Sequence, residues 1–284
     1  MEHSYRLVIA CPDGVGIVAA VSRVIAECGG WLLDTISHSD ESSGGFFMRN
    51  EIKASSLTVG LEAFKQRFAV VAEAYQMRWY ISDSSQPKKM VVLASHASHC
   101  LADILYRWRS GDLDCDIAAV ISNHENLREM VEWHGVPFHY VEMTPETKAA
   151  ANTQIEQWLQ DYQTELVVLA RYMQIVPPAL CQRYAGKIIN IHHSFLPSFI
   201  GANPYQKAHE RGVKLIGATC HYVTQQLDEG PILEQDVIRV SHKHSKEAMA
   251  RLGKDVESRV LARGIHLHLE DRVLVQGNKT VILE

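Results

Sequence analysis

Leu166-Val167-Val168-Leu169-Ala170 is the stretch on which the fold turns. Five apolar residues run without a polar break, and flanking polar residues keep the run too short for a buried helix. That is the character of a strand covered on both faces. Residues 187–191 form a further strand candidate, which ends at Asn190-Ile191-His192-His193. Upstream, residues 90–94, 117–121 and 136–141 read as more buried strands. Helical periods lie between them. One runs through Leu101, Leu105 and Trp108. Another is capped by Thr144, with Pro145 at its first position, where a missing N–H costs little; Ile155, Trp158, Leu159 and Tyr162 form its buried stripe. This alternation predicts an α/β fold with a doubly wound, mostly parallel sheet, and such sheets bind ligands at the carboxyl ends of their strands. Asn190 and His192 stand at such an end. Beyond Thr219 the strand candidates lengthen (218–223 and 232–240). A long helix follows from Ser245 to about Leu269, then a last strand over 272–282.

The first part of the chain has another order. A strand over 5–11 leads to a helix that Asp13 can cap, with Ile17, Val21, Val24, Ile25 and Cys28 at helical spacing and Gly29-Gly30 at its end. Residues 31–37 and 46–52 read as strands joined by the turn Ser42-Ser43-Gly44-Gly45. A helix over 57–75 carries Leu61, Phe64, Phe68 and Val71 on one face, and a short strand covers 77–81. The βαββαβ order predicts a ferredoxin-like unit of about 80 residues. Ser82-Asp83-Ser84-Ser85-Gln86-Pro87-Lys88-Lys89 is polar, carries a proline and has no apolar period. The expected domains are therefore 1–84 and 90–284, with 85–89 as linker.

Composition excludes several classes. A chain of 284 residues with 46% hydrophobic content suits two ordinary globular domains. A net charge of −5 argues against a nucleic-acid partner, which usually meets a basic excess. No apolar run approaches the roughly 20 residues needed to span a bilayer, so no membrane partner is expected. The first residues lack the basic-then-apolar pattern of a secretory leader. Cys11, Cys28, Cys100, Cys115, Cys181 and Cys220 are scattered without a CxxC pair, which predicts reduced, mostly buried thiols and a cytoplasmic protein.

On a strand, Asn190 and His192 point the same way across Ile191. Their N–H groups could converge on one ligand oxygen, as donors of an oxyanion site do. Asp228, in Leu227-Asp228-Glu229-Gly230-Pro231, lies on a loop and could act as a base or set the protonation of a histidine. Spacing alone leaves a blander reading open: a strand-end turn and a surface-turn aspartate, both common in loops. His193 would point to the opposite face and serve packing or hydrogen bonding. His221 reads as a supporting or core histidine. Fifteen histidines invite a metal, but no HExxH or Cys/His spacing supports one, and His266 and His268 at i and i+2 of a helix do not share a face. No metal site is expected.

The runs IINIHHSFLPSFIGANPY and GATCHYVTQQLDEGPILEQDV strongly resemble the folate-dependent formyltransferase superfamily. Within it, LYRWRSGDLDCDIAAVISNH, PFHYVEMTPETK, LVVLARYMQIV and LHLEDRVLVQGNKTVI look like the formyltetrahydrofolate deformylase family, and CPDGVGIVAAVSRVIAECGG resembles the ACT regulatory domain that this family carries. The likeness covers nearly the whole chain. It implies an ACT domain followed by a formyltransferase-type domain, and hydrolysis of 10-formyltetrahydrofolate to tetrahydrofolate and formate, which would feed purine synthesis and balance folate pools. No cofactor is implied, the folate being the substrate. Asn190 would donate to the formyl oxygen. His192 would stabilise the oxyanion and pass a proton toward N10. Asp228 would hold a water or tune His192. The pteridine would lie between the segment carrying Tyr172, Met173, Gln174 and Ile175 and the one carrying Val223, Thr224 and Leu227.

Transferases acting on glycinamide ribonucleotide have a glycine-rich phosphate turn after the first strand of this domain. Here Ala94-Ser95-His96-Ala97-Ser98-His99-Cys100 has no glycine, which argues for water over a phosphorylated amine. His96 and His99 read either as caps of the next helix or as catalytic groups. A transferase to another amine, or a folate sensor without turnover, are the competing readings; a sensor need not retain all of Asn190, His192 and Asp228. In the ACT-like unit, Asp13, Gly14 and Gly16 open a helix whose N–H groups could hold a small amino-acid effector, glycine or methionine being candidates. The alternative is a structural unit that builds a homo-oligomer.

Overall fold

The computed structural model describes residues 3–197 and 204–284, so the 198–203 part of the histidine-containing motif lies outside the described residues. The chain forms two compact units. The first runs to Pro87 and takes in Glu270–Gln276 and Val281–Glu284; the second comprises Lys88–Leu269 and Gly277–Thr280.

In the first unit, β1 (Ser4–Pro12), α1 (Ile17–Glu27), β2 (Leu32–Asp40), β3 (Gly45–Lys53), α2 (Leu61–Ala74) and β4 (Arg78–Asp83) follow in βαββαβ order. The sheet order is β2-β3-β1-β4, antiparallel throughout. Strand alternation sends Leu7 and Ile9 into a core with Val21, Ile25, Phe64 and Phe68 from the two helices. Val8 and Phe47 face the other way and pack on Leu274 and Leu283 from the end of the chain. That is a correction to the expected domains, which placed the whole tail in the second. Its place is fixed by bonds as well as packing: buried Arg49 donates its Nε–H to Glu270 O at 2.9 Å, and Ser82 donates to Asp271 at 2.6 Å. The expected single strand over 272–282 is two short ones, β12 (Val273–Gln276) and β13 (Lys279–Ile282), turned at Gly277 with φ +59.

Asp13 does not cap α1. Gly16, in the left-handed conformation with φ 91, precedes the first helical residue, and the Asp13 carboxylate accepts from the Gly14 N–H at 2.8 Å instead. Asp13, Gly14 and Gly16 are all exposed.

The second unit begins on β5 (Lys88–Ala94), so Lys88 and Lys89 are strand residues paired with Cys115 and Asp116, not linker. After α3 (His99–Ser110) come β6 (Cys115–Ser122), α4 (Arg128–Trp133), β7 (Phe138–Tyr140), α5 (Lys148–Asp161), β8 (Leu166–Ala170), α6 (Pro178–Arg183) and β9 (Ile188–His192). The chain continues through α7 (Pro204–Arg211), β10 (Leu215–Tyr222), β11 (Ile232–Arg239) and α8 (Lys246–Leu269). Thr144 and Thr147 exchange backbone-to-hydroxyl bonds at 2.9 and 3.2 Å, and this turn delays α5 to Lys148.

The sheet order is β11-β10-β9-β8-β5-β6-β7. Strands β5 to β9 are parallel, whereas β10 and β11 run antiparallel. The winding reverses between β5 and β8, and the crevice beyond the carboxyl ends at such a reversal is where open α/β sheets hold ligands. Every residue of β8 is buried. At about 1.5–3 kcal/mol for a fully buried Leu or Val, this central strand anchors the loop that follows it. Helix α8 lies close on its neighbours because Gly253 and Gly264 leave room: a Cβ would stand 2.0 Å from the Tyr205 hydroxyl at one and 2.3 Å from Cys220 Sγ at the other.

Candidate active site

A cavity of about 900 Å³ opens at the carboxyl ends of β8 and β9. Asn190, His192 and Asp228 line it together. Strand β9 supplies the first two from alternate positions, with buried Ile191 between them. Asp228 comes from the loop between β10 and β11, with a left-handed backbone at φ 57 that is uncommon for a residue other than glycine. The loop is held from below. Tyr222 and Pro231 are bonded across its neck at 2.9 Å, and a Cβ on Gly230 would lie 1.7 Å from Tyr222 O. Only glycine lets the two chain segments approach this closely.

The carboxylate faces two imidazoles and is seated on one of them. Asp228 Oδ2 is 3.2 Å from His192 Nδ1, and Oδ1 is 3.7 Å from His221 Nε2. Burial alone would raise the Asp228 pKa; hydrogen bonding and charge from His192 lead the effects that outweigh it and hold the group well below the usual carboxylate range. It is ionised at neutral pH. His192 is buried, and its Nε2 has no hydrogen-bond partner among the described residues. With Nδ1 turned to the carboxylate, Nε2 is left for a ligand or a water.

His221 joins this group as a support for Asn190. Antiparallel pairing sets it opposite Asn190, and Asn190 Nδ2 approaches its Nε2 at 3.2 Å. Its Nδ1 lies 2.9 Å from Tyr222 O, a carbonyl that can only accept, so Nδ1 carries the proton and Nε2 accepts from the amide. This fixes one Asn190 N–H and leaves the second for a substrate oxygen. No signal in the sequence gave that contact, because the register of β9 against β10 is not written in either strand alone.

The expected cleft residues also line the cavity. Tyr172, Met173, Gln174 and Ile175 follow β8; Val223, Thr224 and Leu227 follow β10. Burial pushes the Tyr172 hydroxyl up to about 12, so it is neutral. Met173, Ile175 and Leu227 are exposed apolar side chains at the cavity, suited to a flat aromatic ligand. The Met173 N–H donates to Ser95 Oγ at 3.0 Å, which ties this loop to the turn after β5.

Two further expectations are corrected. Strand β9 ends at His192, so alternation does not turn His193 away; it lines the cavity near Tyr205. Burial, then the charge of Arg171, pushes His193 down to about 4. His99 is the first residue of α3, not a cap: its Nε2 is 2.7 Å from Glu257 of α8, whereas His96 is exposed beside His124. Glu257 was legible as a carboxylate within the buried stripe Gly253, Val256, Val260 and Leu261, a placement that demands partners. His99, Cys100 and Glu257 have the spacing of a metal cluster. The chemistry of the set opposes a cation, since Arg171 lies 3.4 Å from the same carboxylate and burial pushes the Cys100 thiol far up, keeping it neutral.

An amide, an imidazole backed by a carboxylate, and an apolar mouth on a doubly wound sheet define an enzyme that acts on a carbonyl carried by a flat, partly apolar molecule. Residues 88–265 match the formyl transferase family model. The glycinamide ribonucleotide transformylase 1 structure from Symbiobacterium toebii is 32% identical, with a TM-score of 0.66, covering 70% of this chain and 95% of its own. Similarity extends over the whole chain in another group. A formyltetrahydrofolate deformylase of Bacillus subtilis is 45% identical over 282 residues, 99% of this chain and 94% of the relative. The crystal structure of a formyltetrahydrofolate deformylase from Pseudomonas syringae pv. tomato is 57% identical with a TM-score of 0.98, covering 100% of this chain and 95% of that one. The chain belongs to the formyltetrahydrofolate deformylase family.

Proposed function

We propose that this chain hydrolyses 10-formyltetrahydrofolate to formate and tetrahydrofolate in the cavity of its second unit, with Asn190, His192 and Asp228 as the working groups and His221 as the residue that positions Asn190. The observation that carries this reading is the Asp228 carboxylate set on His192 Nδ1 while His192 Nε2 has no partner among the described residues. Asn190 donates its remaining N–H to the formyl oxygen. His192 Nε2 takes a proton from water as the water oxygen bonds to the formyl carbon, and Asp228 stabilises the imidazolium that forms. Collapse of the tetrahedral intermediate breaks the C–N10 bond, and N10 receives that proton. Formic acid then loses its own. Of the two roles expected for Asp228, tuning His192 suits the 3.2 Å contact better than holding a water.

The pteridine lies between the Tyr172–Ile175 and Val223–Leu227 segments, against Met173, Ile175 and Leu227. Hydrolysis needs no cofactor and no metal, because a formyl carbon on an aryl nitrogen accepts water once its oxygen is held. The first unit is an ACT regulatory domain that joins copies of the chain into a homo-oligomer. Glycine or methionine binds near Asp13, Gly14 and Gly16, whose exposure supports the assignment. The enzyme works in the cytoplasm and its formate supplies purine synthesis; no helix among the described residues is long and apolar enough to cross a membrane.

Purified protein releases formate from 10-formyltetrahydrofolate with no acceptor added. Formyl transfer that depends on an added amine, with negligible formate, would overturn the reading. Repeating the assay with glycine and with methionine tests the effector site.

A further inference from the structure

The cavity has a second wall that the steps above do not use. Arg171 is the first residue past β8, and its backbone is left-handed with φ 60, a costly conformation for a long side chain. Its guanidinium lines the cavity and faces Glu257, Nε to Oε2 at 3.4 Å. Glu257 is 1% exposed, and stronger partners already hold both of its oxygens: the Tyr205 hydroxyl donates to Oε1 at 2.5 Å, and His99 Nε2 stands 2.7 Å from Oε2. Arg171 Nε and Nη1 are left buried with no hydrogen bond among the described residues. An unmatched buried N–H is costly, so the arrangement is poised for an acceptor.

Hydrolysis creates such an acceptor here. One C–O bond forms, the C–N10 bond breaks, N10 keeps one proton of the water, and the other departs as formic acid ionises to formate. The new anion arises in a cavity lined by two carboxylates, Asp228 and Glu257, both held ionised by their partners. Lys246 and Lys254 are exposed ammoniums on α8, and His193 is neutral at neutral pH. The planar fork of Arg171 is the group whose geometry matches a carboxylate edge to edge.

We propose that Arg171, braced by Glu257, forms a subsite that binds the formate carboxylate. A small rotation of the side chain toward the cavity brings its unmatched N–H groups onto the anion. The proposal rests on hydrolysis taking place in this cavity.

Sodium formate and the full chain test it, with sodium chloride at equal ionic strength as control and acetate as a larger carboxylate. Formate raises the thermal midpoint of the wild type beyond the chloride control and inhibits hydrolysis. Acetate does so less. In Arg171→Gln the formate inhibition constant rises at least about tenfold, ~1.4 kcal/mol, whereas KM for the folate moves less than about threefold. Arg171→Gln leaves Glu257 short of a cation, so Arg171→Gln/Glu257→Gln, with both charges gone, is measured beside it and shows the same loss of formate binding. A wild-type response to formate no larger than to chloride would sink the subsite. So would a formate constant within about twofold of wild type in both variants. Absence of hydrolysis in the wild type would overturn the proposed activity instead, and the same assay reads the two failures apart.

Discussion

Replacing Asp228 with Asn isolates the charge of the site from its shape. The asparagine amide has nearly the same volume, and its oxygen can still accept from His192 Nδ1, so the ring keeps its orientation. What disappears is the negative charge 3.2 Å from the imidazole. Coulomb's law with an effective dielectric of about 20 gives about 5 kcal/mol for a full charge pair at that distance. The Asp228 side chain is 12% exposed, so solvent screens part of this. A loss of roughly 3–4 kcal/mol in the transition state lowers kcat by about 10²–10³-fold. The folate makes its expected contacts with other segments, so KM changes by less than about threefold. The assay is formate release from 10-formyltetrahydrofolate without acceptor, with binding of an unreactive folate measured alongside. A kcat within about tenfold of wild type, or a loss confined to KM, would refute the argument that Asp228 stabilises an imidazolium formed during reaction.

His221→Phe keeps an aromatic ring on β10 but frees the Asn190 amide from its 3.2 Å partner; kcat should fall about 10–100-fold in the same assay, with little change in the denaturation midpoint. Gly230→Ala places a Cβ against Tyr222 O, so the Asp228 loop shifts; activity should be lost together with roughly 2 kcal/mol or more of stability, read from urea titration. Removal of metals with EDTA should leave kcat unchanged, and a loss restored by one added cation would refute the metal-free reading. His193 carries a pH signature. Its folded pKa of about 4 lies below the ordinary 6.5, so the unfolded chain binds the extra proton between those values. Stability therefore rises with pH across that window by up to ~2–3 kcal/mol, and His193→Gln should remove this slope while leaving the carboxylate-driven loss at lower pH.

The parts of the fold that repeat a period were legible in the sequence. The continuous apolar run of β8 and the spacing of Ile17, Val21 and Ile25 in α1 declare themselves because each residue sees the same environment as its periodic neighbours. The parts that depend on a distant segment were not. The tail over 272–282 reads as one strand, because nothing in it says that Leu274 and Leu283 will cover Val8 and Phe47. Asp13 looks like a cap until the left-handed turn at Gly16 carries the helix start three residues further on. Both misreadings arise where tertiary packing overrides a local preference.

The same distinction divides the site. Asn190 and His192 share a strand, so their common face follows from β geometry. His221 could not be placed that way. It enters because β10 runs antiparallel beside the last parallel strand, so residues opposite one another fall into cross-strand pairs: His221 on Asn190, Thr219 on His192. Had β10 run parallel, its carboxyl end would lie beside that of β9, but without this exchange of facing residues. The antiparallel step also brings the chain out of the sheet at Tyr222, which bonds Pro231 across the neck of the loop that returns Asp228 to His192. Register, loop closure at Gly230 and the seating of Asp228 on His192 are thus a single arrangement. A shift of β10 by one residue would turn His221 to the other face of the sheet and leave the Asn190 amide without its partner.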